Sequence, residues 1–222
     1  MSMRPDITLS LVVAAVAGSM FITGCSTRSG PFTDDERRAM NQAAHRLSMQ
    51  DPSGPYRISG LITETPGGSG WRITALTGET IAYLKALGVG HTVAATAQRA
   101  FPYERSFADP AEFLEVMRPA IRRRFTERGL ILKDVHVFNP AFGAYSIQTH
   151  LTRQVPSDED GAPAKLYEHW YLFTFARTDD PRALYSISYS ERSPSEKERE
   201  TLRQEASAFF NSVQLVAPPR YR

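Results

Sequence analysis

The sequence predicts an α+β domain: an antiparallel β-sheet with helices packed on it. Three observations carry that expectation. Strand-like alternation fills Tyr56 to Phe101 and then four further segments, about 131–138, 143–153, 165–177 and 183–191. Short turns separate most of these segments, so the strands follow one another as hairpins. Apolar residues at helical spacing follow cap signals at Asp109 and again near Ser193. Sequential hairpins with a few helices favour an antiparallel sheet covered by those helices. The two halves of the chain share an order of helix then about four strands, without any sequence match between them.

The first 24 residues read as a secretory signal. Arg4 precedes an apolar run from Ile7 to Phe21, and small residues follow it. The run falls short of the about 20 apolar residues that a spanning helix needs. Arg4 and Asp6 make a weak charged region, so an uncleaved anchor is the alternative. The run closes on Phe21-Ile22-Thr23-Gly24-Cys25, where a branched aliphatic residue stands three before the only cysteine of the chain and a small residue directly before it. This pattern resembles the lipobox of bacterial lipoproteins. The resemblance implies that Gly24 is the last residue removed and Cys25 the first retained. It also implies that the thiol is diacylated and the new amine gains a third chain. Two or more acyl chains anchor stably, at ~0.8 kcal/mol per buried methylene. The plainer alternative is a free or buried cysteine beside an ordinary signal peptide. Ser26 follows the cysteine, where the family's sorting rule for the inner membrane has an aspartate, so the resemblance implies the outer membrane.

The expected organisation is a signal over 1–24, a tether over 25–32, one α+β domain over 33–216 and a tail over 217–222. Removing the signal leaves 198 residues and a net charge of +2, enough chain for one large domain or two small ones. That charge is too balanced for a nucleic-acid partner, which usually meets a basic face. With Cys25 carrying lipid, no disulfide can form, and stability must come from the core.

Taken in order, Thr33-Asp34-Asp35-Glu36 fits a capping box. Met40, Ala43, Ala44 and Leu47 follow it at helical spacing, so a helix is expected over about 34–49. Asp51-Pro52-Ser53-Gly54-Pro55 ends it. Tyr56, Ile58, Gly60 and Ile62 alternate, Pro66 to Gly70 makes a loose turn, and Trp71, Ile73 and Ala75 alternate again. Two more strands are expected over Thr80–Leu87 and His91–Phe101, around Gly88-Val89-Gly90. That glycine pair is no phosphate loop, because no GK[ST] follows it. Asp109-Pro110-Ala111-Glu112 opens a helix in which Phe113, Met117, Ile121 and Phe125 recur every four residues and Gly129 closes. Its other face holds Arg118, Arg122, Arg123, Arg124 and Arg128, a solvated face or a contact for anionic lipid or an acidic partner. The last helix is expected to start in a capping box at Ser193-Pro194-Ser195-Glu196. It carries Leu202, Ala206, Phe209, Phe210 and Val213 on one face. The run Leu184 to Tyr189 followed by a helix ending Phe209-Phe210-Asn211-Ser212-Val213 is similar to the close of PsbP- and Mog1-like domains. Those families mostly act as binding or assembly factors, and none of their catalytic residues matches here.

No cofactor motif is present. The histidines are His45, His91, His136, His150 and His169. His150 and His169 invite a metal site, since the hairpin between them brings them nearly opposite. Matching the apolar rows of Tyr145, Ile147 and Leu151 with Tyr171, Phe173 and Phe175 puts His169 on the core side and His150 on the other. On that register the two imidazoles diverge and no metal site is expected. The same register strands Trp170 among serines and threonines on the outer face, beside Gln148 and His150. Gln148, His150 and Trp170 thus form the candidate binding face, the alternative being that the N-terminal strands or helix cover Trp170. Glu168 and Glu191 are too commonplace to make a glycosidase pair. Asp158-Glu159-Asp160 reads as an acidic hairpin tip. No GxSxG and no second cysteine supply a nucleophile. The expected function is a non-catalytic binding or assembly module, anchored in the bacterial envelope through lipid on Cys25 and facing an envelope protein partner. A small envelope hydrolase is the alternative.

Overall fold

The alternation read in the sequence is realised as strands β1 (Tyr56–Ile58), β2 (Leu61–Thr63), β3 (Trp71–Leu76), β4 (Thr80–Gly88) and β5 (His91–Ala100). Helix α1 (Pro110–Thr126) follows, then β6 (Ile131–Val135), β7 (Ala144–Pro156), β8 (Lys165–Arg177) and β9 (Asp180–Ser193). Helix α2 (Leu202–Ser212) and β10 (Gln214–Leu215) come last. This computed structural model describes residues 51–100, 107, 109–126, 131–135, 144–157, 161–177 and 179–217. Gly24 and Cys25, the tether, the helix expected over 34–49, Gly129, the Asp158–Asp160 tip and the tail beyond 217 lie outside them.

Seven strands form one sheet in the order β3-β4-β5-β9-β8-β7-β6, antiparallel at every pairing. Two meanders, β3 to β5 and β6 to β9, meet where β5 pairs with β9. A second, three-stranded sheet runs β1-β2-β10. The mostly antiparallel α+β expectation therefore holds. Among the described residues no helix is long and apolar enough to cross a membrane.

Apolar side chains pack on both faces of the large sheet. One row reads across it as Tyr83, Ala95, Tyr189, Tyr171 and His150, and the next as Ile81, Ala97, Ile187, Phe173 and Gln148. On this face the aromatics pack under Leu202, Ala206, Phe209, Phe210 and Val213, with Ile58 and Leu61 of the small sheet. The opposite face carries Ala94, Ser190, Trp170 and Leu151 in one row and Gln98, Ser186, Thr174 and Ile147 in another. There Phe113, Met117 and Ile121 of α1 pack on Ile147, Ala176 and Leu184. Burying each such large side chain contributes roughly 1.5–3 kcal/mol.

The ends of α1 and α2 differ in how well the local signals govern them. At α1 the Asp109 carboxylate accepts from the Glu112 amide at 2.9 Å, the expected cap. Arg118, Arg122 and Arg123 lie on its exposed side; the side chains of Arg124 and Phe125, and all of Arg128, are outside the described set. At α2 the expected capping box at Ser193–Glu196 does not start the helix, which begins only at Leu202. The serines spend their hydroxyls locally instead. Ser193 Oγ accepts from the Ser195 amide at 3.3 Å, and Ser195 Oγ accepts from the Lys197 amide at 3.1 Å. Such serine turns compete with the helix for the same amides. The segment 194–201 is thereby held as irregular chain that folds back over the core face.

At the far end of that face the two sheets are locked by buried charge. Arg99 donates to Asp180 through Nε (2.8 Å) and Nη2 (3.1 Å), and Tyr185 Oη donates to the same carboxylate. Arg177 Nη1 reaches the carbonyls of Gly60 (2.9 Å) and Val216 (2.8 Å), so β8 holds both flanks of the small sheet. Gly60 has φ 79°, and an added Cβ would meet the Tyr185 ring at 3.0 Å, which explains a glycine there.

Candidate functional site

The other end of the core face, where β5 begins and β9 finishes, gathers a second cluster of polar side chains. Each strand contributes one residue of the same face: His91 from β5, Glu191 from β9, His169 from β8 and His150 from β7. The segment 194–201 closes over them and brings Glu198 and Arg199.

Two linked groups result. In the first, Glu191 is buried, and its Oε1 lies 2.6 Å from His91 Nε2 and accepts from Arg199 Nε at 3.0 Å. Arg199 also grips Glu205 of α2 with both terminal nitrogens, at 2.6 and 2.8 Å. That grip, together with bonds from Thr201 and Tyr189, outweighs burial and lowers the Glu205 carboxyl to about 2. Burial first, and the bond to Glu205 second, raise the Tyr189 phenol, which stays protonated and donates to Glu205 Oε2 at 2.9 Å.

In the second group, Glu198 is the hub. Tyr171 Oη donates to its Oε1 at 2.5 Å, and burial followed by that contact raises the phenol's pKa. Its Oε2 lies 3.0 Å from His150 Nε2. The His150 ring stacks on Tyr171, centroids 4.5 Å apart and planes within 6°. His169 is buried beside them, its Nδ1 3.3 Å from Thr152 Oγ1. One donor atom from each of His150, His169 and Glu198 lies within 4.8 Å of the others.

This arrangement corrects the register drawn from the sequence. His150 pairs with Tyr171 and Thr152 with His169, so both histidines stand on the core face and do not diverge. The apolar row Ile147 and Leu151 faces the other way, toward α1 and Trp170. Hydrophobic matching failed because both faces of the sheet are buried. A β7 slipped by one residue still finds apolar partners in its neighbour, so burial alone did not choose between the registers. The deciding signal was available: the Phe113-Met117-Ile121 stripe needs an apolar floor of its own, and the β7 row supplies it.

The candidate face of Gln148, His150 and Trp170 is likewise split. Gln148 and His150 lie half-buried on the core face, whereas Trp170 lies half-buried on the opposite one. Leu151 stands directly across from Trp170, and the indole Nε1 donates to Glu168 Oε2 at 3.2 Å. Trp170 is therefore not an indole stranded among serines. Glu168 is held by Arg153 Nε at 2.6 Å on that same opposite face, so it cannot pair with Glu191 across the sheet. The sequence reading missed Glu191, Glu198 and Arg199 as members of a site. Placing the last helix at Ser193 turned the segment that carries Glu198 and Arg199 into a helix turn.

No family model and no curated protein matches the chain. Among solved structures, a crystal structure from Bacteroides thetaiotaomicron is similar over 73% of this chain, at 11% identity and a TM-score of 0.37. The chain spans 48% of that protein's length, and a likeness so loose transfers neither fold nor function.

Proposed function

We propose that this protein is a lipid-anchored, non-catalytic binding module of the bacterial envelope, most simply of its outer membrane, which meets its ligand at the His150–His169–Glu198 end of the core face. The observation that carries the tether is the apolar run from Ile7 that closes on Gly24-Cys25, with the cysteine at the lipobox position and Ser26 after it. The binding end is supported by polar side chains from four strands and one irregular segment converging where the aromatic core stops. The similarity of the β9–α2 close to PsbP- and Mog1-like domains fits a binding or assembly role, and we keep it as part of this reading. Among the described residues of this end, a hydrolase would have the contact of Thr152 Oγ1 with His169 Nδ1 at 3.3 Å, whose imidazole is buried.

The test is fractionation of cells producing wild-type protein or Cys25→Ser, followed by affinity capture from solubilised membranes. The thiol is the group that is acylated, and serine cannot replace it. Wild type should partition with membranes and the variant should leave them or stay unprocessed. Envelope partners captured by wild type should be reduced with Glu198→Gln. A Cys25→Ser protein that remains acylated and membrane-bound at wild-type levels would refute the tether, and capture unchanged by Glu198→Gln would refute the binding end.

A further inference from the structure

We propose that His150, His169 and Glu198 bind one divalent transition ion of the zinc class. This deepens the binding reading above and rests on it. The donor set is two imidazoles and one carboxylate, drawn from β7, β8 and the segment 194–201, with donor atoms within 4.8 Å of one another. Zinc holds nitrogen and oxygen ligands at about 2.0–2.2 Å, which puts tetrahedral neighbours about 3.4 Å apart. Side-chain movements of about an ångström would therefore close the cluster on an ion.

A second observation points the same way, independently of spacing. His169 is 3% exposed, and its Nε2 is buried with no hydrogen-bond partner. Buried polar atoms are nearly always satisfied, so an unmet imidazole nitrogen within such a cluster calls for a missing partner. A simple ion pair between Glu198 and His150 would not supply one, because it leaves His169 as it is. Directly across the β8–β9 register stands Glu191, whose Oε2 is likewise buried without a partner.

The surrounding contacts are those that hold ligands in place. In the tautomer whose Nδ1 proton goes to Thr152 Oγ1, 3.3 Å away, the free lone pair of the His169 ring falls on Nε2. Stacking on Tyr171 fixes the His150 ring. The Tyr171 hydroxyl ties down Glu198 Oε1 and leaves Oε2 toward His150. Imidazole donors select borderline transition ions over magnesium and calcium, which prefer all-oxygen cages.

The experiment is calorimetric titration of zinc sulfate into the full mature chain, purified in detergent and stripped by chelator. Wild type should bind one zinc per chain. His150→Gln and Glu198→Gln should each weaken binding by at least about 100-fold. Arg72→Gln, on the exposed surface of the edge strand β3 at the other side of the sheet, should leave affinity near wild type. Circular dichroism reports whether each variant is folded. Should a variant unfold, the visible spectrum of the wild-type cobalt complex decides instead: a tetrahedral band supports the site, and an aquo-like octahedral spectrum overturns it. No saturable binding at one ion per chain, or affinity unchanged in both folded variants, would also overturn it. Partner capture sensitive to Glu198→Gln without any zinc binding would remove the ion and leave the binding reading standing. Loss of both would remove the two together.

Discussion

Asp180 offers the sharpest test of how the core face is held. Its carboxylate is almost fully enclosed and takes two hydrogen bonds from Arg99 and one from Tyr185. The Arg99 side chain is itself 0% exposed. Asp180→Ala keeps the guanidinium in place but removes its bidentate partner. Glu79 Oε2, 3.2 Å from Nη1, remains, yet at 40% exposure it is a screened and weaker substitute. Breaking one side of a buried pair costs ~3–5 kcal/mol, because an uncompensated charge is left in the interior. That is a large share of a typical stability of about 5–15 kcal/mol. Equilibrium urea unfolding, followed through the buried Trp71, should show the midpoint collapsing. The double variant Arg99→Met/Asp180→Leu should recover most of the loss, since apolar replacement of a buried pair is often neutral. A loss below ~1 kcal/mol for Asp180→Ala, or a double variant worse than the single one, would refute this account of the cluster.

Other outcomes follow from the same contacts. Glu205 has a carboxyl pKa lowered from 4.5 to about 2 by Arg199, so its stabilisation is complete above about pH 4.5 and is lost as pH falls toward 2. Its side chain is 36% exposed, so screening limits the effect to about 1 kcal/mol. Urea midpoints between pH 6 and 2.5 should show this acid limb in wild type and a flatter one in Glu205→Gln; identical limbs would contradict the assignment. Trp170→Ala removes a half-buried indole packed beside Leu151, and should cost ~1–3 kcal/mol while leaving partner capture intact. Capture lost without destabilisation would put the binding surface back on the outer sheet face.

The strands and α1 were legible because their signals are local. Lys165–Arg177 is bounded as the alternation predicts, and the Asp109 cap opens α1 as read. The start of α2 was not, because Ser193 and Ser195 satisfy a capping pattern and a pair of serine turns equally well. The misplaced start of α2 hid Glu198 and Arg199, and a one-residue slip of register between β7 and β8 separated the two histidines. Period-two burial fixes register only when one face is wet. Here α1 and α2 bury both, so register follows only once the Phe113-Met117-Ile121 stripe is matched to the Ile147 row as its floor. The Arg99–Asp180 and Arg199–Glu205 pairs were invisible for a related reason: they join elements 81 and 6 residues apart by geometry that no spacing rule encodes.

Intact mass and fragmentation spectra of the protein purified from membranes test the central claim most directly. The tethered-module account predicts a chain that begins at Cys25, lacks residues 1–24, and carries diacylglycerol on sulfur. A chain that still begins at Met1, or a Cys25 with an unmodified thiol, would contradict it.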